Sequence, residues 1–255
     1  MKLDDKVAII TGGGRGIGKD YALSFAREGA KIAVADIISE NAAKVAEEIE
    51  SGGGQSLTFS TDVSDEASIV GMMERVKERF GGIDILVNNA AIYYELRRTP
   101  WNTWTIEEWN DHFRVDVLGT WLCTKAAVPY MIERGKGKVI NISSAVVWSG
   151  QANMLPYNCS KGAVNAMTAA LAKELGSHNI NVNAIAPGWA LSEAGIEAYK
   201  EKLDIVREQV INARSIKRDM MPDDLVGTAV FLASDDSDFI TGQVICVDGG
   251  ISFRC

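Results

Sequence analysis

Tyr157 and Lys161 stand four residues apart in Tyr157-Asn158-Cys159-Ser160-Lys161, at the head of a segment whose pattern predicts a helix to about His178. That spacing puts the phenol and the ammonium on one helix face, one turn apart. A free phenol, with a pKa of about 10, is a poor base at neutral pH, and a fixed cation within roughly 4–6 Å favours the phenolate. Ser144 closes the apolar, strand-like run Lys138–Ser143, thirteen residues before Tyr157, where its hydroxyl can reach the same cleft. An acid/base, a cation that tunes it and a neutral hydrogen-bond donor suit proton transfer to or from an alcohol oxygen. They do not suit nucleophilic acyl chemistry, which wants a His beside the Ser. Tyr-x-x-x-Lys alone is common on solvated helix faces, so the pair takes its meaning from the elements that position it.

Those elements alternate. Val7–Thr11 reads as a strand buried on both faces, followed by Gly12-Gly13-Gly14-Arg15-Gly16-Ile17-Gly18 and a helical pattern through Tyr21, Leu23, Phe25 and Ala26 that stops at Gly29. A second strand spans Lys31–Asp36, completing a βαβ unit. Further on come a helix over Ser39–Glu50, a strand near Ser56–Ser60, a helix from Asp65 to Phe80 and a strand over Ile83–Val87. Asp223–Ala233 reads as a last crossover helix and Gln243–Val247 as a final strand. Strands alternating with helices predict an α/β fold with a doubly wound parallel sheet and helices on both faces. No repeat, low-complexity stretch or linker marks a second domain, so residues 1–255 are expected to form a single dinucleotide-binding and catalytic domain. The amphipathic segment Leu191–Arg218, with charges at Lys200–Lys202 and Arg214–Asp219, reads as a mobile helical lid over the substrate, at about 190–220.

The glycine turn admits three readings. Five glycines in the seven residues Gly12–Gly18 exceed what a tight connection needs. A P-loop is nearly matched by Gly13, Gly18 and Lys19, but that motif then needs Ser or Thr for Mg²⁺, and Asp20 stands there and would repel phosphate. The third reading is a pyrophosphate cradle at a helix N-terminus. Gly12-x-x-x-Gly16-x-Gly18 departs from the common G-x-G-x-x-G spacing, yet Asp36 ends the second strand twenty residues after Gly16, where a ribose-binding acid belongs. Dinucleotide binding wins.

Composition narrows the classes. The chain has 255 residues, 47% of them hydrophobic and 24% charged, ordinary for a soluble globular protein. A formal net charge of −8 disfavours nucleic acid and anionic membrane as partners, and no apolar run approaches the ~18 residues of a membrane span. The acidic start Met1–Lys6 is no signal peptide, and Cys123, Cys159, Cys246 and Cys255 lack metal-site spacing, which fits a reducing cytoplasm and no metal. His112 and His178 lie far apart without companion ligands and read as surface residues.

Thr11-Gly12-x-x-x-Gly16-x-Gly18, Asn88-Asn89-Ala90, Ser144, Tyr157-x-x-x-Lys161 and Pro187-Gly188 follow the order and spacing of the short-chain dehydrogenase/reductase family, which the chain resembles from Lys6 to Gly250. The resemblance implies a Rossmann-type domain that binds NAD(H) or NADP(H), interconverts alcohols and ketones and is usually a homotetramer. It makes Tyr157 the general acid/base, Lys161 the residue that lowers its pKa and holds the nicotinamide ribose, and Ser144 the carbonyl polariser. With Gly12, Arg15, Gly16, Ile17 and Gly18 of the turn, it assigns Asp62-Val63 to the adenine, Asn89-Ala90 to the adenosine ribose, Pro187-Gly188 to the nicotinamide and Ser192 to the carboxamide or pyrophosphate. Two departures stand out. Ala91 replaces the usual Gly, and Asp116 stands where the family has the Asn of its proposed proton relay, which acts through its backbone carbonyl and a water near the Lys. Asp116 is expected to keep a role there and to add a negative charge near Lys161; the alternative is that it points elsewhere on its helix.

Asp36 accepts hydrogen bonds from a ribose 2′-hydroxyl and repels a 2′-phosphate, and Ile37 and Ile38 offer no basic partner. Arg15 pulls the other way, but a carboxylate against a dianion is the larger obstacle, so the cofactor is expected to be NAD(H). All six tryptophans fall within residues 101–189. Trp109 and Trp121 read as helix packing, whereas Tyr94, Val146, Trp148 and Trp189 are candidates for an apolar wall suited to an apolar or aromatic secondary alcohol. A 3-oxoacyl thioester reductase is the alternative enzyme, and a non-catalytic dinucleotide sensor the alternative class.

Overall fold

The computed structural model describes residues 1–94, 96–197 and 199–253; Cys255 lies outside them. Its strands are β1 (Val7–Thr11), β2 (Lys31–Asp36), β3 (Ser56–Ser60), β4 (Ile85–Asn88), β5 (Gly137–Ile142), β6 (Ile180–Pro187) and β7 (Val244–Val247). They form one seven-stranded sheet in the order β3-β2-β1-β4-β5-β6-β7, every pair parallel. The helices are α1 (Gly16–Arg27), α2 (Ser39–Ser51), α3 (Glu66–Phe80), α4 (Ile106–His112), α5 (Thr120–Arg134), α6 (Val146–Ser149), α7 (Leu155–Leu175), α8 (Glu193–Glu197), α9 (Leu203–Ala213) and α10 (Asp223–Ala233), with a π-helix, Phe113–Gly119, joining α4 to α5. This is the doubly wound Rossmann-type arrangement. The strand order reverses between β1 and β4, where the carboxyl ends of the strands open a crevice for a ligand.

Both faces of the central sheet are buried, so β1, β2 and β4 read as mostly apolar runs. In β1, Ala8 and Ile10 pack with Tyr21 and Phe25 of α1, Val45 and Ile49 of α2 and Leu225 and Ala229 of α10. Val7 and Ile9 face the opposite way, toward Ile69, Met72 and Val76 of α3 and Leu122, Ala127 and Met131 of α5. Caps mark where the helices stop and start. Asp65 accepts from the Ala67 N–H at the start of α3, Gly81 ends it in the left-handed region, and Thr105 and Glu108 form a capping box on α4.

Two elements depart from expectation. β6 is a strand that the alternation left unread, because Asn181 and Asn183 interrupt its apolar pattern; their amides bind loop carbonyls at Asp238 and Ile240. The π-helix is the other, for no composition signal announces an extra residue in a helical turn. Gly119 permits it, since a Cβ there would lie 2.7 Å from Val63 Cγ2.

Asp20, the residue that argues against a P-loop, is half-buried on α1. Burial first, then Asp223 and Glu193, raises its pKa from 3.8 to about 6. A folded pKa above the unfolded one means that stability falls as pH rises through this window and stays low above it. Asp20→Asn is therefore expected to raise the melting temperature above pH 6, an advantage that vanishes below pH 3.8. Melting curves at both ends check it, and a pH-independent difference would refute the assignment.

Candidate active site

The carboxyl ends of β1, β2, β4, β5 and β6 open into one cavity of about 790 Å³. It runs from Gly12, Arg15, Gly16, Ile17, Gly18, Asp36, Ile37, Asp62, Val63, Asn89 and Ala90 at one end to Ser144, Tyr157, Lys161, Pro187, Gly188, Trp189 and Ser192 at the other. Of the expected cofactor residues, every one lines it.

The glycine turn is held tightly enough that side chains are excluded. Gly12 and Gly16 have φ of 59° and 56°, and a Cβ on Gly18 would stand 2.2 Å from the Gly12 carbonyl oxygen and 2.4 Å from Asn89 Nδ2. Asn89 latches the turn from across the sheet, its Nδ2 donating to the carbonyls of Thr11 (3.1 Å) and Gly12 (2.9 Å). Buried Asp36 accepts from Gly14 N–H at 3.0 Å and Ile38 N–H at 2.9 Å, which fixes its carboxylate at the cavity rim with lone pairs to spare. Asp62 is likewise fixed: burial opposes its ionisation, but two hydrogen bonds from Ser64 and the Arg114 charge hold its pKa below the usual value. Backbone close to open space at the N-terminus of a helix, next to a carboxylate, fits a pyrophosphate and a ribose. Arg15 stacks its guanidinium 3.3 Å from the Tyr94 ring centroid. Tyr94, expected on the substrate wall, thus lies against the glycine turn, its oxygen 3.3 Å from where a Gly16 Cβ would be.

Tyr157 and Lys161 lie on the first two turns of α7, both buried. Lys161 donates to the Ile142 carbonyl at 2.9 Å and sits 5.6 Å from the Tyr157 ring centroid. Lys161 does not bring the phenol within neutral range here. Burial above all, then Tyr93 and Asp116, pushes the Tyr157 pKa well above that of a free phenol, while the Ser144 hydroxyl and the Arg98 charge pull it down. Burial also lowers the Lys161 pKa, opposed by Asp116.

Asp116 points inward. The π-helix turns its fully buried carboxylate so that Oδ1 accepts from Ile92 N–H (3.0 Å) and Oδ2 from the Ser160 hydroxyl (2.6 Å). Burial raises its pKa, but Lys161, then His112, Ser160 and Ile92, overcome that and keep it ionised below the usual carboxylate range. Its backbone carbonyl accepts from Thr120 Oγ1 at 2.8 Å. His112 is a correction to the surface reading. It is 3% exposed, its Nδ1 lies 3.8 Å from Asp116 Oδ2, and its ring meets those of Trp104 and Tyr157 edge-on. The reason is that α4 packs against α7, with His112 at its last turn facing Tyr157. Asp116→Asn removes a negative charge that holds the Tyr157 proton on, so the acidic limb of a pH–rate profile for alcohol oxidation is expected to move to lower pH. A limb that stays in place would show that this charge does not reach the phenol.

On the substrate side Val146 and Trp189 line the cavity, but Trp148 does not. In the single turn of α6, Val146 and Ser149 share the inward face at a spacing of three, and Trp148 falls between them on another. Trp121 is 42% exposed rather than packed, whereas Trp109 stacks on Phe113. The sequence reading missed Met154, Tyr199, Val206 and Val210, which also line the cavity. Amphipathicity of the 190–220 segment was the available signal for the last three. Arg214 is buried there and ties this segment to the loop after β6, donating to the carbonyls of Trp189 and Arg218.

A Rossmann-type sheet with a glycine cradle at its switch point and a buried Ser-Tyr-Lys set beside it defines an oxidoreductase architecture. Residues 12–252 match the family profile described as enoyl-(acyl carrier protein) reductase. The chain is 41% identical to galactitol 2-dehydrogenase of Agrobacterium fabrum, over 98% of each chain. It is 37% identical to the 3-oxoacyl-[acyl-carrier-protein] reductase FabG of Thermotoga maritima, over 98% of this chain and 99% of the relative. The solved structure of a 7α-hydroxysteroid dehydrogenase, complexed with NADH and 7-oxo glycochenodeoxycholic acid, superposes with a TM-score of 0.91 at 31% identity, covering 98% of this chain and 95% of that one. The chain belongs to the short-chain dehydrogenase/reductase family, whose members use nicotinamide dinucleotides. Among the described residues, no helix is long and apolar enough to cross a membrane.

Proposed function

We propose that this protein is an NAD-dependent alcohol dehydrogenase/ketone reductase that interconverts a secondary alcohol and a ketone on an apolar or aromatic small molecule. The observation that carries the reading is a single cavity with the Asp36 carboxylate and glycine cradle at one end and Ser144, Tyr157 and Lys161 at the other. Gly12, Gly16, Gly18, Asp36 and Asn89 would hold the adenosine half and pyrophosphate, and Lys161, Pro187, Gly188 and Ser192 the nicotinamide half. The bound dinucleotide supplies the hydride acceptor. In oxidation Tyr157 must first lose its own proton and then, as the phenolate, takes the hydroxyl proton, Ser144 donates a hydrogen bond to the substrate oxygen, and Lys161 offsets the phenolate charge while Asp116 keeps its ammonium protonated. Since burial holds Tyr157 neutral, the phenol is ready to donate in the reducing direction and gives up its proton less readily in the oxidising one. Galactitol 2-dehydrogenase and the hydroxysteroid dehydrogenase, named for alcohol oxidation, support this class.

Near-ultraviolet absorbance of reduced nicotinamide, followed with NAD⁺ or NADP⁺ and a panel of secondary alcohols that includes aryl ones, tests it. Reduction of NAD⁺ by an aryl or apolar alcohol is the expected result. The similarity to a 3-oxoacyl reductase supports a second reading, which NADPH-dependent reduction of an acetoacetyl thioester, with silence on free alcohols, would select. Asp36→Ala is expected to cost about 10- to 100-fold in kcat/KM with NAD⁺ and to improve NADP⁺, because the ribose loses an acceptor and the 2′-phosphate loses a repelling charge. An unchanged ratio between the two would overturn the choice of NAD. A homotetramer in the cytoplasm completes the reading. Val70, Leu118 and Trp121, exposed on α3, the π-helix and α5, are apolar surface that a subunit contact would cover.

A further inference from the structure

Arg98 lies one aromatic layer behind the substrate end of the cavity. Its Nη1 donates to the Leu96 carbonyl at 3.1 Å, and its guanidinium carbon sits 4.6 Å from the Tyr199 ring centroid and 5.6 Å from that of Tyr93. Both tyrosines line the cavity, and the Tyr93 ring is 5.7 Å from the ring of Tyr157. Nε and Nη2 of Arg98 are buried and have no hydrogen-bond partner of standard geometry, the Tyr93 hydroxyl being the nearest group that interacts with the guanidinium. Among the described residues no carboxylate pairs with it; its neighbour Arg97 instead takes Glu108. Leaving two donors of a buried cation unmatched costs more than the same omission at a neutral group, so such a site calls for an explanation. The charge is felt where the chemistry occurs, because Arg98 pulls on the Tyr157 proton.

We propose that the substrate carries a carboxylate a few carbons from its reacting carbinol, and that Arg98 is the counter-charge that binds it. The inference rests on the alcohol/ketone reading of the site and goes beyond it in naming the substrate class. Nε and Nη2 are the pair that a guanidinium presents side-on to a carboxylate, and they are the two left unmatched. Tyr199 stands on the lid, between α8 and the 3₁₀ turn Lys200–Lys202, with its ring edge-on to Trp189 at 5.4 Å. A carboxylate that parts the Tyr93 and Tyr199 rings would reach the fork, with Met154, Trp189 and Val206 of the cavity wall around the apolar remainder. Were Arg98 only a staple between the loop after β4 and the lid, through its stacking on the two rings, it would be indifferent to substrate charge.

The test compares 4-hydroxypentanoate and 4-(1-hydroxyethyl)benzoate with their amides as substrates of the full chain with NAD⁺, alongside titration of the NADH-loaded protein with benzoate and benzamide by calorimetry. The acids are expected to exceed the amides by about 10- to 100-fold in kcat/KM, carried by KM, and benzoate to bind by a similar factor over benzamide. In Arg98→Met, which preserves length and packing against the rings, both ratios are expected to collapse toward unity. Arg98→Lys, which keeps the charge without the fork, should retain part of the preference, so that a folding defect is told apart. Acids no better than amides, or a preference that survives Arg98→Met, would overturn the proposal and leave alcohol oxidation standing. If no alcohol is oxidised, the alcohol/ketone reading falls, and the benzoate-to-benzamide ratio still decides the role of Arg98.

Discussion

Tyr157→Phe is expected to lower kcat for alcohol oxidation by about 10²- to 10⁴-fold, the usual worth of a positioned acid/base, with little change in dinucleotide affinity. The substitution removes one oxygen and keeps the ring, whose contacts with Tyr93 and His112 hold the top of α7 in place. Lys161, the residue that would hold the nicotinamide ribose, is anchored separately on the Ile142 carbonyl, so its position does not depend on the phenol. Rates with the best alcohol of the panel, together with NADH titration by fluorescence, separate the two effects. A variant that binds NADH and keeps the protein's biological role without turnover would favour a dinucleotide sensor. A variant that turns over normally would remove Tyr157 from the chemistry.

Gly18→Ala is expected to have the second largest effect, abolishing measurable dinucleotide binding and destabilising the fold by about 1–3 kcal/mol through overpacking. The added methyl would meet the Gly12 carbonyl oxygen and the Asn89 amide, neither of which can move alone, because the Asn89 amide is the latch that fixes the turn. Gly162→Ala is the control. It lies in the same kind of structure, on α7, with nothing within 4 Å of its added Cβ, and there the change should stabilise by about 1 kcal/mol through helix propensity. Parallel denaturation and NADH titration of both variants decide the point. Equal effects at the two sites would mean that the cradle is looser than its contacts imply.

The parts of this molecule that follow from local pattern were legible in the sequence. Strands buried on two faces show as short apolar runs, so β1 and β2 were read to the residue, and the alternating Ser56–Ser60 placed the edge strand β3. The glycine turn and Asp36 were placed by spacing, and the cavity gathers them as expected. Features set by tertiary context were hidden. Asn181 and Asn183 disguised β6 because their partners lie in a loop some 57 to 60 residues away. His112 looked like a surface residue because polarity alone cannot report that the last turn of α4 packs against α7. The Tyr157–Lys161 spacing gave proximity correctly but not the electrostatic balance, since the desolvation that dominates the phenol depends on Tyr93, Met154 and Leu96 packing around it. Arg98 carried no motif at all.

The latch between Asn89 and the glycine turn joins residues 77 positions apart. The cradle is therefore not a local motif that the first forty residues can make, but a property of the chain once β4 has docked beside β1. During synthesis or refolding, α1 and β2 can form while the turn stays unfixed, and closing that long loop is the slow step. Recovery of nucleotide binding should then lag recovery of helical signal and coincide with completion of the central sheet. A dinucleotide that binds only the closed arrangement would act as a ligand that rewards finished molecules and ignores partly folded ones.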